Sequence, residues 1–288
     1  MKHFLRGIFT FSLFCLLSGC DIINPKESQP AYISIDTIPL TTDPVLQGSN
    51  SARITDAWIY IDKNLIGAFE LPCRIPVLEE GDHEILVGAG IQVNGISALR
   101  SAYSFYKFWE GQVNLSPGET ANVSPTVAYF DSLNFPLIAN FDDQSGNKIE
   151  ASIASDTIVS LTSSPNLVFE GNGSFLTSLR RDSGYVEFQT VDAFVLPKQG
   201  ANVYAELNYK TSHELSIGIA AYYPVSATRR SLIINLNPSD TWNKVYLNLT
   251  EAVSTEVNAT NYRLFFFSFK PAGTPEMEIL IDNLKIIH

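Results

Sequence analysis

Val203-Tyr-Ala-Glu-Leu-Asn-Tyr-Lys210 decides the fold class. Its apolar and polar residues alternate: Val203, Ala205, Leu207 and Tyr209 fall on one side, Tyr204, Glu206, Asn208 and Lys210 on the other. A period of two marks a half-buried strand, because successive side chains of an extended chain point to opposite faces. Residues 215–223 repeat the pattern, with Leu215, Ile217, Ile219 and Ala221 against Ser216, Gly218, Ala220 and Tyr222. Val245, Leu247 and Leu249 do the same against Lys244, Tyr246 and Asn248. Across 137–288, about ten short strands are expected between Gly, Pro, Asn, Asp and Ser breaks, the spacing of a sandwich or jelly roll. Leu264-Phe-Phe-Phe267 reads as a short buried strand ended by Ser268 and Lys270. One helical turn is expected at 250–257, with Thr250 as its cap.

The half before it is also β. In 54–62, Ala57, Ile59 and Ile61 alternate with Trp58, Tyr60 and Asp62. Asp62-Lys63-Asn64 then turns into Leu65-Ile66-Gly67, which predicts a hairpin. Glu79-Glu-Gly-Asp82 and Ser116-Pro-Gly-Glu119 punctuate further strands at 83–87, 105–115 and 120–127. No segment has a helical period. The expectation is an all-β chain of two domains, a small antiparallel sandwich at 31–131 and a jelly roll at 137–288.

Outside these domains, Lys2 and Arg6 lead into an apolar run at 8–17 and then Leu17-Ser-Gly-Cys20. The order is that of a secretory signal, and the run is roughly half of the ~20 residues a bilayer span needs. The last four residues resemble the lipobox of bacterial lipoproteins. That resemblance implies removal of 1–19, acyl chains such as palmitate on Cys20, and a place in the cell envelope, the outer membrane foremost. Several acyl chains together give stable anchoring, each buried methylene adding about 0.8 kcal/mol. Residues 20–30, broken by Pro25 and Pro30, read as a lipidated tether.

Composition narrows the partners. The 288 residues carry a net charge of −11 with a pI near 4.8, which argues against nucleic acid, since phosphates call for clustered Lys and Arg. Charged residues make up only 17% and aromatics 11%, a mix that suits β-rich extracytoplasmic folds. With Cys15 in the signal and Cys20 acylated, Cys73 stands alone, so the mature chain has no intramolecular disulfide or thiolate metal cluster and no required cofactor.

Two family resemblances follow. Trp58-Ile-Tyr-Ile-Asp62 with Ile66-Gly67, then Leu78-Glu-Glu-Gly-Asp-His-Glu-Ile85, then Leu115-Ser-Pro-Gly-Glu-Thr120 is similar to the PEGA-type surface-domain pattern over about 53–128. It departs from that pattern by a long insertion at 91–104 carrying Asn94-Gly95. The likeness implies a structural or adhesive envelope module. Phe141-Asp-Asp143, Trp242-Asn-Lys-Val-Tyr-Leu-Asn-Leu249 and Ile281-Asp-Asn-Leu-Lys-Ile286 resemble the carbohydrate-binding-module jelly rolls of galactose-binding-like shape.

Glycan binding needs aromatic rings for sugar C–H faces and planar hydrogen-bonding groups beside them. The outward rows offer Tyr204, Tyr222 and Tyr246 with Glu206, Asn208 and Asn248 on what is expected to be one sheet face. An open groove there favours glycan as partner. A covered or flat face favours a structural subunit of an envelope complex, in secretion, gliding or adhesion machinery, binding protein instead. The jelly-roll resemblance also implies a structural calcium linking Asp142 or Asp143 to Asp282; hard cations take carboxylate and carbonyl oxygens. Catalysis has little footing: His83, His213 and His288 lack metal-ligand spacing, and no Gly-x-Ser-x-Gly elbow occurs. Asp36-Thr37-Ile38, Asp131-Ser132-Leu133 and Asp156-Thr157-Ile158 match the Asp-Ser/Thr-apolar acceptor of a bacterial O-glycosylation system, naming Thr37, Ser132 and Thr157.

Overall fold

A computed structural model describes residues 28–143 and 147–288. Cys20 and the signal expected at 1–19 therefore lie outside the described residues. The first half holds β1 (Ala31–Ile35), β2 (Leu40–Thr41), β3 (Asp56–Ile61), β4 (Asn64–Glu70) and β5 (Cys73–Val77). It continues with β6 (Gly81–Gln92), β7 (Arg100–Ala102), β8 (Trp109–Leu115), β9 (Thr120–Asn122) and β10 (Val127–Ala128). The second half opens with β11 (Leu137–Ala139), β12 (Ile149–Ala151), β13 (Val159–Thr162), β14 (Ser174–Leu179) and β15 (Gly184–Thr190). Then come β16 (Tyr204–Thr211), β17 (Leu215–Tyr222), β18 (Arg229–Leu236), β19 (Ser239–Asn248), the helix α1 (Thr250–Thr255), β20 (Asn261–Lys270) and β21 (Met277–Ile287). The chain is all-β, as its alternation requires.

The residues fall into two compact units, and their borders cut through the first half. The smaller comprises 28–34, 74–83 and 112–123. Within it β1 runs parallel to β9, Tyr32 facing Thr120, in a sheet ordered β5-β1-β9. Arg74 holds two of these strands together. Its guanidinium lies 3.5 Å above the Tyr32 ring and donates to Thr120 Oγ1 at 3.1 and 3.2 Å.

The larger unit comprises 35–73, 84–111 and 124–288. Its first sheet is ordered β4-β3-β6-β7. The β3–β4 hairpin forms as expected. Asp62 and Lys63 both take positive φ, +49° and +69°, the backbone a two-residue turn of primed type demands. Ile59, Ile61, Ile85 and Val87 bury the common face of β3 and β6.

Two further sheets of this unit make the jelly roll. One is ordered β13-β14-β21-β16-β19 with β11 on β21; the other is β12-β15-β20-β17-β18. Between them lies one apolar core that includes Leu207, Ile217, Ile281, Phe175, Phe188 and Phe266. The rings of Phe188 and Phe266 stack at 5.0 Å and 11°. Burying each such side chain contributes roughly 1.5–3 kcal/mol.

Two local expectations are corrected. Ser268 does not end the strand: β20 runs through it and ends at Lys270, and the polar atoms of both find carbonyls. Ser268 Oγ donates to Glu214 O at 2.6 Å, and Lys270 Nζ to Asp182 O and Thr274 O at 2.8 and 3.0 Å. For the second, the expected cap at Thr250 is absent. α1 starts without a side-chain cap, while the Thr250 hydroxyl accepts from Val203 N and its own N–H goes to Asn248 Oδ1.

Candidate functional site

Of the two alternatives for the outward row of β16 and β19, an open groove or a covered face, the structure has the covered face. Tyr204, Glu206, Asn208 and Tyr246 are all buried, Glu206 with 0% of its surface exposed, so none of the four can meet a polysaccharide. Tyr222 does not share their face. It stands on β17, in the other jelly-roll sheet, because only β16 and β19 pair with each other. Asn248 alone stays half-exposed at the edge.

The cover is the chain's own earlier sequence, within the same compact unit. The Tyr103 hydroxyl donates to Glu206 Oε1 at 2.8 Å; the Tyr129 hydroxyl reaches Oε1 at 2.9 Å and Oε2 at 3.0 Å. Tyr246 Oη accepts from Arg53 N at 2.9 Å, and Ser51 Oγ donates to Asn208 Oδ1 at 3.0 Å. Rings of Tyr103, Tyr204 and Tyr246 meet edge to face at 5.1–5.2 Å. The segment 91–104 supplies much of the cover. Val93 bridges to Tyr246, Asn94 N donates to Tyr246 O, and Asn248 N donates to Asn94 Oδ1, both at 2.8 Å.

Charge is buried under this cover. Lys244 Nζ lies 3.3 Å from Glu206 Oε2, an ion pair without hydrogen-bond alignment. Lys285 Nζ donates to Gln47 O and Ser49 O at 2.8 and 2.9 Å and lies 5.2 Å from the Tyr129 ring. Burial pushes Lys285 down to about 8 and lowers Lys244 too, Glu206 opposing the fall in both. Burial first, and then the Glu206 charge, drives Tyr103 and Tyr129 well above the usual phenol value. Such a set can hold two parts of a chain in one register. It has no solvent access through which a substrate could arrive.

Asp282 and Asp142, two of the three carboxylates expected at a calcium, are engaged in hydrogen bonds. Asp282 is fully buried, its Oδ2 accepting from Ser174 Oγ at 2.7 Å and its Oδ1 from Asn283 N at 2.8 Å. Asp142 accepts from Asn172 N through Oδ1 and from Asn140 Nδ2 through Oδ2, while Asp143 is exposed. Among the described residues no three His, Cys, Asp or Glu side chains are gathered where they could hold a metal ion. Burial lifts the Asp282 carboxyl to about 7, against hydrogen bonds from Ser174 and Asn283 that lower it.

Of the acceptor threonines and serine, Thr37 and Ser132 are exposed. Thr157 is half-buried and its hydroxyl already donates to Ser178 O at 2.7 Å. Cys73 is a free, half-buried thiol that burial pushes upward.

Two shallow clefts of about 360 and 400 Å³ share Asn94, Asn248 and Glu251. They offer amides and a carboxylate but no aromatic ring. Rings stand instead on the outer face of the β12-β15-β20-β17-β18 sheet. Phe265, Phe267 and Phe269 alternate outward along β20 while Leu264 and Phe266 point to the core. Reading 264–267 as buried holds for Leu264, Phe265 and Phe266 and misses the partly exposed Phe267 and the exposed Phe269, which period-two alternation through Phe269 could have found.

No family model matches the sequence, and no curated protein does. Solved structures similar to it include carbohydrate-binding modules of the β-sandwich superfamily, at 14% identity and TM-score 0.41, covering 90% of this chain and 98% of that one. A C-terminal family 22 carbohydrate-binding module of Clostridium thermocellum aligns at 14% identity and TM-score 0.39 over 53% of this chain and 91% of the module. The enzymatically active domain of a tailspike protein from bacteriophage CBA120 aligns at 15% identity and TM-score 0.38, over 51% of this chain and only 20% of that chain.

Proposed function

We propose that this protein is a non-catalytic, lipid-anchored component of the cell envelope whose jelly roll is a structural element carried on an acylated Cys20. One observation carries the structural reading over a sugar groove on β16 and β19: that face is closed by residues 47–53, 91–106 and 129 of the same chain around Glu206. A pocket for substrate at the same place would leave the carboxylate open to solvent, whereas here its oxygens are taken by tyrosines and a lysine. Buried polar sets of this kind favour one arrangement over its competitors, since each partner left unpaired costs about 1–3 kcal/mol. The partner of such an element is another envelope protein, met on its outer surfaces.

Labelled palmitate tests the anchor. Incorporation into the wild-type protein, its loss in Cys20→Ala, and release of that variant from membranes are expected. Crosslinking in whole membranes tests the structural role, and recovery of the same envelope protein with wild type and not with Cys20→Ala supports it. An unlabelled, freely soluble wild-type chain would end the reading.

A further inference from the structure

Lys244 is a buried amine that the closing of its sheet face does not account for. Its Nζ has no hydrogen-bond partner, whereas Lys285, beneath the same cover, donates from its Nζ to two carbonyls. A buried ammonium without directed partners is costly, because desolvation disfavours the charged form. Burial accordingly lowers Lys244 from the usual amine value, with Glu206 opposing the fall. A neutral amine keeps its lone pair and is a nucleophile.

Two further groups stand where such a nucleophile needs them. Asn208 lies directly opposite Lys244 in the antiparallel ladder of β16 and β19, and Glu206 is two residues along β16, so the three side chains leave the sheet on one face. Opposed residues have Cβ atoms about 4.5–5.5 Å apart, a gap that a lysine stem spans. Glu206 Oε2, 3.3 Å from Nζ, is placed to take its proton. The Asn208 Oδ1 accepts from Ser51 Oγ at 3.0 Å and from Asn283 Nδ2 at 3.4 Å. These two donors polarise the carboxamide and stabilise negative charge that develops on its oxygen. Only 5% of Lys244, 2% of Asn208 and 0% of Glu206 is exposed, so water does not compete with the amine.

We propose that Lys244 and Asn208 join in an intramolecular isopeptide bond, with Glu206 as the general base. Lys244 Nζ attacks Asn208 Cγ and forms the new C–N bond. Glu206 takes the proton released from Nζ and passes it to the carboxamide nitrogen, which leaves as ammonia. The carboxylate is restored, and the step is a transamidation without oxidation or reduction. β19 is the last strand of its sheet and the one most free to peel away; the bond ties it to β16. The proposal goes beyond the envelope role and does not depend on acylation, so the two can fail separately.

Tryptic digestion of the purified full chain, read by mass spectrometry, tests it. Segments 199–210 and 231–263 are expected as one branched peptide, lighter than their sum by one ammonia and uncut after Lys244. Lys244→Met and Asn208→Ala should each abolish the branched species. Glu206→Gln, which keeps the shape and removes the base, should slow its formation on the order of 100-fold. Circular dichroism checks the fold of each variant, and the wild-type digest decides alone where a variant does not fold. Recovery of 199–210, 231–244 and 245–263 as separate peptides from folded wild type would overturn the assignment, as would undiminished branching in folded Glu206→Gln.

Discussion

Glu206 and Glu187 hold the same kind of position, outward and mid-strand, one in each sheet of the jelly roll. Each carboxylate takes a tyrosine hydroxyl and a cationic neighbour. The partners differ in origin. Glu187 is served by Tyr185 two residues away and Arg230 on the same sheet face, whereas Glu206 is served by Tyr129 and Tyr103, 77 and 103 residues distant in sequence. Local partners screen Glu187, 7% exposed, without a further layer of chain, and leave Phe269 on the same face 63% exposed. Distant ones bring a layer of chain with them and shut the face of Glu206. Alternation therefore tells which residues leave the core, and says nothing of whether another layer then covers them.

The contrast breaks most readily at Glu206. Glu206→Leu leaves Lys244 and Lys285 buried without their carboxylate, and about 3–5 kcal/mol of stability should be lost, read from the urea midpoint. A loss under about 1 kcal/mol would mean the cover is not held by charge.

Asp282 is the next largest effect. Its carboxyl rises from 3.8 to about 7 on folding, so the folded chain holds the extra proton between those values. The sign follows: this group's stabilisation is whole below about pH 4 and is lost as pH climbs toward 7. Melting temperature should fall across that window in wild type and stay flatter in Asp282→Asn. Chelator should leave the melting temperature of the wild type unchanged. A drop on chelation would restore the calcium expected at Asp142, Asp143 and Asp282.

Smaller shifts sharpen the comparison. Tyr103→Phe and Tyr129→Phe each remove a hydrogen bond to a charged acceptor, for a loss of about 1.5–3 kcal/mol by chemical denaturation. Their effects should be non-additive, because both hydroxyls share Glu206. The open face gives the smallest change. Phe269→Ala should alter stability by no more than about 0.5 kcal/mol in the same assay, and a loss of several kcal/mol there would show that the face is covered after all.

Much of the architecture was legible residue by residue. The period-two runs at 203–210 and 215–222 gave their strands, inward rows and all, and the Asp62-Lys63 turn gave the β3–β4 hairpin. The candidate site was less so. Tyr222 and Tyr246 look equivalent in their strands, yet β17 and β19 belong to different sheets, and strand order is a non-local outcome that no window of ten residues contains. Asn94 shows the same limit: an Asn-Gly pair predicts a turn, and here it also fastens that turn to β19.

By itself, the amino-acid order determined that the described residues are nearly all β and which side of strands such as β16 and β17 faces the core. These follow from backbone geometry and composition, which act over a few residues at a time. Tertiary structure alone decided that Glu206 is sealed and Phe269 exposed. Whether an outward side chain meets water depends on where chain a hundred residues away comes to rest, and that is settled only when the whole core packs.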